Sequence, residues 1–471
     1  MIDGGSTLAR RLERYRAATH AAVPRDTGPP VVARGEGLAI SLAAALDGEL
    51  VRSAEGVIVR CEAPSRSIVI DRGRLASLPG QPPPHVPLIC LDTETTGLAT
   101  AAGTVAFLIG LGWWEADRFR QVQLLLPDHA DERALLTALA AMIPTRAWLV
   151  TYNGRGFDWP LLVARYRLAR RAAPAHDGHL DLLPIVRRLF RHRMANARLR
   201  TAEAELLGLR RVGDVEGWEI PGRYLAFLRG GPAAGLVEVV RHNDQDVRSL
   251  ARLLTLLEAR FGDERTRADA APGDLAGLAR AFVREHRLSA ALACLDAALE
   301  RVNDDPPAPP ARPAARERVP VDDDPWSSPR RPADFRGRPR AAALGGASRT
   351  AAFDAPWTAE RLAIDRAHVL RRLGRHADAA EAWSSLAAGP GRIAVFAATE
   401  LAKLGEHRLG DPARALDATR RGLALAERRR RLGHPEPRLE ADLTRRAARL
   451  RRRLAAASRS ARTPGGPPGG R

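Results

Sequence analysis

Leu88-Ile89-Cys90-Leu91-Asp92-Thr93-Glu94-Thr95-Thr96-Gly97-Leu98 opens on four apolar residues and closes on polar ones and a glycine. A short unbroken apolar run bounded by turn residues reads as a strand covered on both faces, and the change at Asp92 puts the acids at its end. Alternation turns Asp92 and Glu94 to one face, about 6.6 Å apart along the backbone. Such a pair suits divalent ions roughly 4 Å apart, although a solvated strand end carries Asp-x-Glu just as readily.

The flanking sequence supplies a context. Upstream, 6–19 reads as a helix and 36–80 as a short mixed segment with a strand over Gly56–Glu62, set off by Gln81-Pro82-Pro83-Pro84. Residues 1–80 are therefore expected to form a separate N-terminal segment. Downstream, 105–114 and 119–126 read as strands, 131–142 as an amphipathic helix and 147–152 as a fourth strand. A helix starts at Phe157, and helical stretches run to about Arg260. Strand, strand, strand, helix, strand, helix predicts an α/β domain with a mixed sheet over 81–262.

Two more acids fall at informative places. Leu149-Val150-Thr151-Tyr152-Asn153-Gly154 leads through a turn into Phe157-Asp158-Trp159-Pro160-Leu161-Leu162, with Asp158 in the first helical turn. An acid there also complements the helix dipole without any further role. On the long helix from Leu236, His242 and Asp246 are one turn apart on one face, while Asp244 lies opposite and is assigned to solvent. Asp181 reads best as a helix N-cap. Four acids converging on one cleft repel by several kcal/mol per close pair, so the set persists if cations neutralise it. Oxygen ligands without a cysteine pair indicate two Mg2+ or Mn2+ ions rather than zinc, and hence a two-metal phosphodiesterase site. No Gly-rich phosphate loop followed by lysine occurs, which argues against an ATPase motor.

The C-terminal half is helical in pattern. A repeat-like hairpin is expected over 263–302, a flexible Pro/Arg/Asp-rich linker over 303–356, helical repeats over 357–460 and a disordered tail over 461–471. Leu373-Gly374-Arg375-His376-Ala377-Asp378-Ala379-Ala380 and Leu409-Gly410-Asp411-Pro412-Ala413-Arg414-Ala415-Leu416 start 36 residues apart. That is close to the tetratricopeptide period of about 34. Arg287-Leu288-Ser289-Ala290-Ala291-Leu292 looks like a third, separated copy.

Among 471 residues the formal net charge is +19, nearly all from arginine, since Lys403 is the only lysine. A high-GC coding bias explains arginine over lysine, but not the excess over Asp and Glu. The surplus favours nucleic acid, single-stranded DNA or RNA, as partner. No stretch is apolar enough to span a membrane and the N-terminus has no apolar signal core. Cys61, Cys90 and Cys294 are widely separated, suggesting a reducing cytoplasm.

Leu91–Leu98 resembles the first motif of the DEDD-type 3′–5′ exonucleases. Asn153-Gly154 with Phe157–Leu162 resembles their second motif, and His242-Asn-x-x-Asp246 their third. The run from about 55 to 262 is similar to the YprB-like bacterial proteins, which join a ribonuclease H-like exonuclease domain to tetratricopeptide repeats. Thr104–Gly110, His179-x-Asp181-Leu182-Leu183 and Leu199-x-Thr201-x-Glu203 extend the likeness. The resemblance implies that Asp92 bridges two ions, that Glu94 and Asp246 complete one site and that Asp158 helps hold the other. It implies that His242 activates the attacking water, yet here histidine stands at the spacing of the tyrosine subtype. Thr95, Tyr152 and Asn153 are the candidate substrate contacts. The resulting expectation is a 3′–5′ exonuclease on single-stranded nucleic acid with a protein partner on its repeats. The competing expectations are a binding scaffold with a vestigial site and a structure-specific endonuclease.

Overall fold

The structure, a computed structural model, describes residues 31–97, 103–304 and 358–460. The expected helix over 6–19, nearly all of the expected linker and the expected tail lie outside these residues. The chain divides into two compact units, Met1–Ala270 and Ala271–Arg471.

The first unit is built on one seven-stranded mixed sheet. Its strands are β1 (Glu49–Ser53), β2 (Gly56–Ser67), β3 (Leu88–Thr95), β4 (Ala106–Glu115), β5 (Arg118–Leu125), β6 (Trp148–Thr151) and β7 (Gly178–Asp181). They lie in the order β1-β2-β5-β4-β3-β6-β7. β1 through β5 pair antiparallel, whereas β6 runs parallel to β3 and β7 parallel to β6. β3 is thus interior, which is why Leu88, Ile89, Cys90 and Leu91 are all buried.

Three expectations need correction. The division at residue 81 does not separate two bodies, because Val59 of β2 pairs with Leu125 of β5 in the same sheet. β7 is a strand where only helical stretches were expected; its four residues carry too little pattern to reveal a pairing partner 30 residues upstream. The repeat-like hairpin expected over 263–302 is present but begins at Pro272, since residues up to Ala270 belong to the first unit, and its second helix packs on the helix starting at Ala359.

Helices α1 (Val31–Leu46), α2 (Glu132–Met142), α3 (Asp158–Leu168), α4 (Leu182–Phe190), α5 (Ile220–Leu228) and α6 (Val237–Gly262) flank the sheet. α6 buries Val239, Val247, Leu250, Leu254 and Leu257 at helical spacing and lies across β3, β4 and β5. Two glycines of β4 let it approach. A Cβ on Gly110 would stand 2.2 Å from Asn243 Oδ1 and 2.7 Å from Val247 Cγ2, and one on Gly112 would meet Phe119 and Val247. Gly110→Ala is therefore expected to destabilise the domain by roughly 1–3 kcal/mol, the usual range for overpacking. Denaturant unfolding measures this; a midpoint equal to wild type would mean that α6 is not seated by Gly110.

The second unit is all helical. α7 (Pro272–Arg284), α8 (Leu288–Asp304), α9 (Ala359–Arg372), α10 (His376–Ala388), α11 (Gly391–His407), α12 (Pro412–Arg431) and α13 (Pro437–Ser460) each pack on the next. The three similar segments of sequence occupy equivalent places. Each lies at a tight turn that opens α8, α10 or α12, and His286 (just before the first segment), Gly374 and Gly410 have φ of 60°, 78° and 66°. Among the described residues no helix is long and apolar enough to cross a membrane.

Candidate metal centre

The site forms where β3 ends beside its parallel neighbour β6 and where α6 lies across β3. Alternation along β3 is as expected: Thr93 and Thr95 are buried, while Asp92 and Glu94 are partly exposed on the other face. Ligand atoms of Glu94, His242 and Asp246 all lie within 4.8 Å of one another, a cluster able to hold a metal ion. Asp92 and Asp158 stand beside this cluster rather than within it.

Asp92 is held by Asn243, whose fully buried amide donates to Asp92 Oδ2 at 2.9 Å. Asn243 is held in turn by Gln123 of β5, whose Nε2 donates to Asn243 Oδ1 at 2.9 Å and to the Val240 carbonyl at 2.8 Å. Asp158, the first residue of α3 and 5% exposed, accepts a short hydrogen bond from Thr93 Oγ1. The turn before α3 is pinned from β7. Asp181 accepts from the backbone N–H of Asn153 (2.8 Å) and of Arg155 (3.3 Å), and also caps α4 through Leu183 N–H (3.1 Å). Asp181 thus acts as the expected N-cap and in addition fixes Asn153, whose φ is 71°.

A second network surrounds Asp246 and His242. Arg211 donates to both oxygens of fully buried Glu203 at 2.5 and 2.6 Å, to Asp214 at 3.0 Å, and by a short contact to Asp246. His242 Nδ1 lies 2.7 Å from Asp214 Oδ1, and its Nε2 is 3.7 Å from Asp246 Oδ2. Glu203 sits in a π-helical turn, Glu203–Leu207, and also accepts from Ser249 of α6. Asn243, Gln123, Arg211 and Asp214 were missed by sequence reasoning. Asp244, assigned to solvent, is instead largely covered: its side chain is 17% exposed and ion-paired with Arg248, and its carbonyl accepts from Gln121.

The expected substrate contacts are engaged within the protein. Thr95 Oγ1 donates to the Gly97 carbonyl at 2.7 Å and the Tyr152 hydroxyl to the Ala197 carbonyl at 2.8 Å. Asn153 is anchored through its backbone, leaving its side chain at the turn. The three cysteines are buried and unbridged.

Burial first, and then mutual repulsion, raise the carboxyls. Asp92 is pushed well above the ordinary range by burial and by Asp246, Asp158 and Glu94. Glu94 is raised likewise by burial, Asp246 and Asp158, with Arg211 opposing. Asp246 is raised by burial against the pull of His242 and Arg211. Burial lifts Asp158 to about 6 despite its Thr93 hydrogen bond. Asp214 goes the other way: burial would raise it, but the His242 and Arg211 contacts hold it low. Clustered carboxyls that resist ionisation, with an imidazole among them, form a donor set that fits a divalent cation.

A pH prediction follows for Asp158. A carboxyl raised in the folded state contributes stability that is complete below its unfolded value, near 3.8, and lost as pH rises through about 6. In chelator, Asp158→Asn should therefore melt higher than wild type at pH 7 to 8. The gap, on the order of 3 kcal/mol, should close toward pH 4. Divalent ion should reverse the order by stabilising wild type alone. Melting curves across pH with and without manganese test this; a gap independent of pH would mean that Asp158 is not strained by its charge.

A family model described as the RNase_H superfamily matches residues 89–258. The chain is 34% identical over 220 residues, 46% of its length, to the uncharacterized protein YprB of Bacillus subtilis (strain 168). It spans about half the length, 53%, of that relative. Mixed sheet, flanking helices and sequence together make residues 89–258 a ribonuclease H-like domain.

Proposed function

We propose that this domain is a metal-dependent phosphodiesterase, a 3′–5′ exonuclease acting on single-stranded nucleic acid. The observation that carries the reading is the convergence of Glu94, His242 and Asp246 at the end of β3 with Asp92 and Asp158 alongside. Asp92, Glu94, Asp158 and Asp246 would hold two Mg2+ or Mn2+ ions. When bound, these would stabilise charge on the attacking and leaving oxygens of phosphodiester hydrolysis.

The chain's own groups do the rest. Asp214, kept ionised, accepts the Nδ1 proton of His242, which leaves the Nε2 lone pair to take a proton from an attacking water. Arg211 ties Glu203, Asp214 and Asp246 into one frame, so the base and the adjoining carboxylate keep their relative position. Thr95, Tyr152 and Asn153 would border the substrate path from the strand ends. The helices of the second unit we read as tetratricopeptide-like, because three similar segments open successive hairpins at the same turn.

The test is purified full-length protein with 5′-labelled single- and double-stranded DNA and RNA, in magnesium, in manganese and then in chelator. A ladder shortening from the 3′ end that chelator abolishes is the expected result. Discrete internal fragments would point to an endonuclease, and binding without cleavage to a scaffold.

A further inference from the structure

The positive charge does not lie with the acidic cleft. Residues 89–258 carry 22 arginines against 19 acids, a net of +3, whereas 358–460 carry 22 arginines and one lysine against 12 acids, a net of +11. In this second stretch a groove of about 880 Å³ gathers cations from three helices: Arg371 and Arg372 ending α9, Lys403 of α11 with Arg408 just beyond its end, and Arg446 on α13. Its one acidic lining residue, Glu400, is shared between Lys403 at 2.7 Å and Arg371 at 3.6 Å. Arg372 and Arg408 are exposed and make no ion pair among the described residues. Arg446 is only 7% exposed and ion-paired through its guanidinium with buried Glu406, which does not line the groove, while its Nε has no hydrogen-bond partner.

Helix C-termini attract cations on their own account. That explains an arginine or two per helix end, but not the convergence of two helix ends on one groove in which Arg372 and Arg408 make no ion pair among the described residues. We propose that this groove grips the phosphodiester backbone of a nucleic acid, so that the helical unit rather than the acidic cleft supplies most of the affinity. Cations facing phosphates gain by counterion release, which is independent of sequence. No Phe, Tyr or Trp lines the groove, so bases are not stacked there. The proposal is independent of whether the ribonuclease H-like domain cleaves.

The test uses the full chain in chelator, where cleavage cannot interfere, and reads fluorescence anisotropy of a labelled oligothymidylate over a range of salt. Arg372→Glu with Arg408→Glu should raise Kd about tenfold or more. The slope of log K against log salt should become shallower by about 1.4, the loss of two contacts to a single strand. Arg451→Glu with Arg452→Glu makes the same charge change on exposed residues of α13 outside the groove and should alter Kd less than threefold. Circular dichroism checks the fold, and Arg372→Gln with Arg408→Gln provides a milder pair that removes the same two contacts and should show a similar slope change with a smaller rise in Kd. Equal losses in the groove and control variants would overturn the proposal. So would labelled polyglutamate that binds more tightly than the oligonucleotide and displaces it, since the occupant would then be an acidic polypeptide.

Discussion

Replacing Asp92 with asparagine is expected to reduce single-turnover cleavage by about a thousandfold or more, the loss of several kcal/mol of transition-state stabilisation. The fold should survive. The substituted amide can still present an oxygen to the side chain of Asn243, which donates to Asp92 Oδ2 in the wild type. Stability should even rise in chelator at neutral pH. Asp92 ionises against burial and three neighbouring carboxyls, so its folded value is raised and its contribution is lost as pH climbs. Activity and melting temperature are thus predicted to move in opposite directions, as for a residue strained for function. Cleavage at the wild-type rate would remove Asp92 from the centre. A variant that melts far lower in chelator would make Asp92 a structural residue instead.

How far the site could be read in advance depended on how local each signal is. β3 was legible because an interior strand must be apolar on both faces, and the switch to Asp92-Thr93-Glu94 marks where cover ends. Helical spacing likewise joined His242 to Asp246 without any knowledge of the sheet. The supporting residues were hidden because their roles are made by distant chain. Asn243 looks like one more polar residue between His242 and Asp244, and only Gly110 and Gln123, more than 100 residues earlier, turn it into a buried clamp on Asp92. Arg211 and Asp214 sit in irregular chain whose sequence announces nothing, yet they frame both His242 and Asp246. Asp244 was misread for a related reason. Its place opposite Asp246 was right, but α6 is covered there too, by the Gln121 contact from β5 and by Arg248 one turn on. β1 and β2 were set apart from the domain because β1 pairs, among the described residues, only with β2, and the pairing of β2 with β5 joins residues as far apart as Val59 and Leu125.

His242 is where the structure sharpens the chemistry most, and His242→Ala is expected to slow cleavage by about a hundredfold or more, the low end for general base catalysis. Two roles are open to an imidazole whose Nε2 lies 3.7 Å from Asp246 Oδ2: proton acceptor or metal ligand. They differ in what restores activity. Loss of a ligand weakens ion binding, so excess manganese should rescue the alanine variant. Loss of a base leaves ion binding intact, so the defect should persist at saturating manganese and the pH–rate profile should lose its acidic limb. The Asp214 contact favours the base. An ionised carboxylate 2.7 Å from Nδ1 can only accept, and this contact is shorter than the 3.3 Å approach of the Arg211 guanidinium to the same nitrogen, which favours the proton on Nδ1 and frees Nε2. Asp214→Asn should then reproduce part of the alanine defect, because an amide can donate to Nδ1 and favour the wrong tautomer. His242→Tyr should recover part of the rate, since tyrosine occupies this spacing in the related exonuclease subtype. Single-turnover cleavage at saturating manganese from pH 6 to 9 decides the matter. A wild-type rate from the alanine variant throughout would exclude His242 from proton transfer, and full rescue by manganese would reassign it as a ligand.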